Sequence, residues 1–144
     1  MSLAFRIRIL FIALLGAVAV PFAAYADDAS KAKAQEIIRS QIEAFKAGQD
    51  SLAYSFASPT IQGFYPEIPV FMDMVRRGYA PVYAPRNYDF GRAKEPSDGV
   101  VIQELLVTGP DGKPWTAVYT LLRQSDGSWK INGVRLLPGD DSSA

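Results

Sequence analysis

Histidine and cysteine are both absent from this chain, so any chemistry falls to carboxylates, tyrosines, arginines and hydroxyls. That absence excludes Ser-His-Asp and Cys-His nucleophilic catalysis, an imidazole general base, and the common zinc and iron sites. Acid–base work would need a carboxylate held in a cavity with a raised pKa, beside a proton donor such as tyrosine. Asp73 sits among Phe71, Met72, Met74 and Val75, while Asp89 and Glu104 fall in extended runs. Yet Asp73 precedes Arg76 and Arg77 at the spacing of a helix-surface ion pair. No calcium-loop spacing links the other acids, and neither metal nor cofactor is expected.

The element that must position any site is Val100–Leu137, three β-type runs joined by Pro110-Asp111-Gly112 and Ser125-Asp126-Gly127. Each junction fits a type I turn with glycine in the left-handed region, closing a three-residue hairpin loop. This register pairs Leu105 with Ala117, Gln103 with Tyr119 and Val101 with Leu121. In the second hairpin it pairs Arg123 with Trp129, Leu121 with Ile131, Tyr119 with Gly133 and Ala117 with Arg135. One face then holds Tyr119, Trp129, Ile131, Gln103 and Arg135 and serves as the core side. The other face exposes Ile102, Leu106, Val118, Leu122, Val134 and Leu136. A two-residue loop would shift the pairing by one and mix the two sets.

Two readings attach to the polar residues of the core side. Gln103, Tyr119 and Arg135 would be convergent polar groups in an apolar hollow, the usual make-up of a small-molecule site. Alternatively Tyr119 is a core tyrosine packed over Gly133 and bonded to Gln103. A buried Arg135 would call for an anion, though near a strand end it can reach water with its stem packed. Tyr54, Tyr65, Tyr79, Tyr83 and Tyr88, with Phe64 and Phe71, would line a pocket mouth or form the core of a lid. Tyr54 and Tyr83 join Gln103, Tyr119 and Arg135 as ligand-pocket candidates.

Upstream, Met1–Arg8 carries two arginines and no acid, and residues 9–24 are apolar and uncharged. Ala24-Tyr25-Ala26 matches a small-x-small cleavage site, so residues 1–26 read as a signal peptide cut between Ala26 and Asp27. The rival is an uncleaved anchor, against which Pro21 and the short apolar run argue. The expected location is periplasmic or secreted, with no stable membrane span after cleavage. Of 15 basic and 15 acidic residues in the chain, Arg6 and Arg8 leave with the leader, so the mature net charge is −2. Nucleic acid, which calls for a basic stripe, is not an expected partner. Residues 27–138 suffice for one core, held without disulfides, and 139–144 read as a flexible tail.

Ser30–Ala47 has the helical period, with Ala34, Ile37, Ile38, Ile42 and Phe45 on one stripe. Ser30 can cap its start and Gly48 suits the position after its end. A second helix is expected over Ser51–Ala57, with Leu52 and Phe56 inward, and a third over Pro69–Arg77. Between them Thr60–Tyr65 allows one further helical turn. Two prolines make Tyr79–Arg86 an edge strand or rim loop, and Asn87–Ala93 a strand entering the sheet.

Helices followed by antiparallel strands give an α+β class, here with N-terminal helices on the concave face of a curved sheet. The runs YSFASPTIQGFYPEIPVFMDMVRRGYAPVYAPR (Tyr54–Arg86) and GKPWTAVYTLLRQSDGSWKINGVRLLP (Gly112–Pro138) resemble the bacterial exported family of domain of unknown function 4864. That resemblance implies the nuclear transport factor 2-like cone fold. It implies no activity, because fold alone decides none. A non-enzymatic module binding a small apolar or anionic ligand, or a protein partner, is the first expectation. The alternative is an isomerase- or dehydratase-type enzyme using Tyr119 with Asp73 or Asp89. The apolar convex face further suggests a homodimer.

Overall fold

A computed structural model describes residues 22–140, with side chains from Asp28 onward. Residues 1–21 of the expected leader (1–26) lie outside them. Five helices precede four strands: α1 (Phe22–Lys46), α2 (Asp50–Ser55), α3 (Pro59–Phe64), α4 (Ile68–Gly78), α5 (Ala80–Tyr83), β1 (Asn87–Ser97), β2 (Val100–Thr108), β3 (Pro114–Arg123) and β4 (Trp129–Pro138). The strands form one curved antiparallel sheet in chain order.

The helix α1 starts earlier than expected. Its backbone continues back to Phe22, across the expected cleavage point, so Ser30 is an interior residue. Instead of capping, Ser30 Oγ donates to Glu95 Oε1 of β1 at 3.4 Å. The C-terminal end follows the sequence. Gly48 takes φ 67°, Gly48 N–H reaches Phe45 O, and Gln49 N–H reaches Ala44 O, the paired bonds of a Schellman ending.

Ala34, Ile38 and Ile42 of α1 are buried against Val101, Leu105, Ala117, Tyr119, Leu121, Trp129 and Ile131 of the sheet. The hollow side of the ribbon therefore faces α1, as the alternation of the strands requires. A second cluster joins Ala44 and Phe45 to Ala53, Ala57, Phe71, Met72 and Val75 of the shorter helices. Leu52, expected inward, is 46% exposed, and Ala53 is buried in its place. The helix α2 runs Asp50–Ser55, beginning one residue before the expected start and ending two before the expected Ala57. Tyr79–Arg86 is also corrected: Pro81 sits in the first turn of the short helix α5 rather than in a strand.

Both hairpin loops have the expected form. Gly112 and Gly127 take φ 82° and 84°, inside closures made by Gly109 N–H to Lys113 O and Gln124 N–H to Ser128 O. Asp111 Oδ1 accepts from Lys113 N and Asp126 Oδ1 from Ser128 N. The β2–β3 register agrees throughout, including Gln103 with Tyr119. In the β3–β4 hairpin Arg123–Trp129 and Leu121–Ile131 pair as read, but Thr120 then pairs with Gly133, Tyr119 with Val134, Val118 with Arg135 and Ala117 with Leu136. Asn132 is the extra residue of a β-bulge. Beyond it every side chain changes face.

Candidate functional site

That one-residue shift decides where the polar candidates go. Arg135 leaves the core side: it is exposed and shares the outer face with Val118. Val134 and Leu136 take its place and pack on the core. A charge so near the end of a two-faced strand is cheaper in water than beneath α1.

Gln103 is fully buried and its amide is engaged. Nε2 donates to Glu104 O at 2.8 Å and to Gly91 O and Arg92 O at 3.2 and 3.3 Å. Its Oε1 accepts from Gln35 Nε2 of α1 at 3.3 Å. Gly91 and Arg92 lie where β1 bulges between Phe90 and Ala93. Gln103 thus pins an irregular edge strand to the sheet. Tyr119 is also fully buried, and its hydroxyl has no hydrogen-bond partner among the described residues, Gln103 included. Burial pushes its phenol well above the ordinary tyrosine range, with a smaller push from Tyr88.

The acids considered for catalysis lie outside. Asp73 is half exposed and pairs with Arg77 at 3.2 Å, the helix-surface bridge the spacing predicts. Asp89 is exposed, opposite Leu106. Glu104 is gripped by Arg92 Nε and Nη2, each at 3.2 Å, which holds its carboxyl below the usual range. None shares a cavity with Tyr119. Among the described residues no three acids converge as metal ligands, and no helix is long and apolar enough to cross a membrane.

The space available to a ligand lies beside the filled centre of the sheet. A cleft of about 400 Å³ opens between α1, α3, α4 and β4, lined by Gln41, Phe45, Ala57, Ile61, Phe64, Tyr65, Phe71, Met74, Val75, Tyr79, Val82, Ile131, Gly133 and Val134. Such a volume and lining are those of small-molecule sites. Its residues are placed by local rules. Ser58 caps α3 through Oγ to Ile61 N, Pro59 suits the first turn, and Ser58 Oγ also donates to Asn132 Oδ1 at 2.8 Å. Ala57 bridges to Ile131, with Ile131 N–H to Phe56 O and Ser58 N–H to Ile131 O. The bulge at Asn132 therefore does two things: it turns Val134 toward the cleft and it ties down α3.

Tyr65, Tyr79, Phe64 and Phe71 of the expected aromatic cluster line this cleft. Tyr54 and Tyr83 stand behind it. Tyr54 Oη donates to Tyr65 O at 2.6 Å and its ring meets Phe71 edge-on at 5.1 Å. Tyr83 packs on Phe45 at 5.6 Å and accepts from Arg76 Nε at 3.2 Å. Gln41 was missed by the sequence reading. It is buried, on the α1 turn after Ile38, and spends Nε2 on Ala53 O at 3.1 Å. A glutamine inside the apolar stripe Ile38, Ile42, Phe45 was the available signal.

A second cleft, of about 430 Å³, lies between α1 and β1 and mixes Asp28, Lys31, Lys94 and Glu95. Its charges are of both signs, and it offers little apolar wall. A search of the curated proteins and a search of the solved structures each returned no match to this chain. The profile of one family, described as a domain of unknown function (DUF4864), matches residues 27–144. The chain belongs to that family, the one its long middle and C-terminal runs resemble.

Proposed function

We propose that this chain is an exported, non-enzymatic binding module of the nuclear transport factor 2-like cone type, and that it holds a small apolar ligand between α1, α3, α4 and β4. The observation that carries the reading is the cleft of about 400 Å³ with its aromatic and aliphatic wall. An apolar surface of that extent left open to water is costly unless something occupies it. A long helix laid across the hollow side of a sequentially paired sheet supports the cone assignment. The basic, then apolar, then small-residue order of residues 1–26 supports export.

Native mass spectrometry of the protein taken from its own cell envelope tests this. The expected result is an added small-molecule mass on the wild type that Met74→Trp, which fills the cleft, does not carry. The bare chain mass for both proteins, with no apolar compound able to stabilise the wild type, would reject it.

The homodimer remains part of the proposal, on a revised face. Leu106 (51% exposed) and Leu137 (38% exposed) now stand with Ile102, Val118 and Leu122, and Arg135 joins them.

A further inference from the structure

The lining of the cleft says more than that it is apolar. Charged residues make up 21% of the chain, so a wall of this size would ordinarily include a few. It includes none. Three cations close in sequence to lining residues are engaged elsewhere: Lys46 with Glu43 at 3.5 Å, Arg76 with Asp50 at 3.8 Å and Arg77 with Asp73 at 3.2 Å. A charged ligand would give up its hydration and find no counter-ion.

The wall is also rich in flat and polarisable groups. Phe45, Phe64, Tyr65, Phe71 and Tyr79 share it with Met74, a lining that suits ring stacking and sulfur–ring contact with a ligand. The deep end is marked by buried Gln41 and the mouth by Phe64, 75% exposed. Because Gln41 Nε2 is committed to a carbonyl, Ala53 O, the amide is oriented. No described residue donates to its Oε1, which leaves one acceptor at the inner end.

We infer that the cleft selects a neutral, flat aromatic or polycyclic molecule carrying a single hydrogen-bond donor, an O–H or N–H, for Gln41 Oε1. This rests on the ligand-binding reading above, and the experiment separates the two. N-phenyl-1-naphthylamine and 8-anilino-1-naphthalenesulfonate share one ring framework, and only the second is charged. Fluorescence titration of the full mature chain should show the neutral probe binding at least about tenfold tighter than the sulfonate, a difference of about 1.4 kcal/mol. Met74→Trp, checked for folding by circular dichroism, should lose both signals. Phe64→Ser at the exposed mouth gives the same test with less strain on the core. In displacement, 1-naphthol should outcompete 1-methoxynaphthalene by about fivefold, and Gln41→Met should erase that preference.

Equal binding of the two probes in a cleft that Met74→Trp blocks would overturn the selectivity while leaving the binding reading intact. Equal displacement by naphthol and its methyl ether in wild type would overturn the donor requirement. Binding untouched by either cleft variant, or no binding at all, would overturn both readings.

Discussion

Replacing Tyr119 by phenylalanine should make the protein more stable, against the usual sense of a core substitution. The ring is fully buried and the hydroxyl has no partner among the described residues. An unpaired buried hydroxyl costs about 1–3 kcal/mol. Phenylalanine keeps the ring contacts with the core and removes that cost. Taking the low end, because the vacated space is small, the gain is about 1 kcal/mol, or about 3–5 °C in melting temperature for a domain of this length. Urea unfolding followed by the fluorescence of Trp115 and Trp129 would measure it. A second signature appears in alkali. Burial raises the folded-state pKa of Tyr119, so its contribution is complete below the unfolded value near 10 and falls as pH rises through and beyond it. Wild type should lose about 1.4 kcal/mol per pH unit above pH 10 that Tyr119→Phe does not lose. A phenylalanine variant weaker by 1 kcal/mol or more, with the same alkaline slope as wild type, would refute the argument and give the hydroxyl a bonded role.

Three further outcomes follow from the geometry. Ser58→Ala removes the cap on α3 and the link to Asn132, and should cost about 2 kcal/mol by urea unfolding, loosening the cleft wall before the sheet. Deleting Asn132 removes the extra residue and keeps the pairs beyond it, with Val134 and Leu136 inward and Arg135 outward. The loss is the Ser58 Oγ–Asn132 bond, so urea unfolding should stay cooperative at a cost of about 1 kcal/mol, and a non-cooperative or unfolded variant would contradict the pairing. Val118→Lys places a charge in the centre of the outer face, and light scattering should report a monomer where wild type is a dimer; a wild-type monomer unchanged by the mutation would remove the dimer.

The parts of the fold legible in the sequence were those governed by local chemistry. Proline, aspartate and glycine in order at 110–112, and serine, aspartate and glycine at 125–127, specify turns whose hydrogen bonds are local, and the β2–β3 register follows. The Asp73–Arg77 pair was legible for the same reason. The bulge was not counted, although Asn132-Gly133 inside a strand run is a recognised sign of one. The error was one residue, and it exchanged Arg135 for Val134 and Leu136. Tyr79–Tyr83 holds barely one helical turn, too short for periodicity to tell from an edge strand. The cleft itself was invisible to alternation. Its walls come from five elements brought together by tertiary packing, and no single run records that.

The two outer strands of the sheet share a trait with a consequence for self-association. In β1 the ladder breaks twice, between Phe90 and Ala93 and between Lys94 and Ser97, with Arg92, Lys94 and Pro96 exposed along it. In β4 the start is occupied by the Ala57 bridge and the run is bent at Asn132. Neither border offers a long straight row of amide and carbonyl groups to template the next chain in a fibril. The bulge that shapes the cleft, together with the two breaks in β1, makes this molecule a poor seed for amyloid, so concentrated solutions should stay clear as long as both borders keep their irregularities.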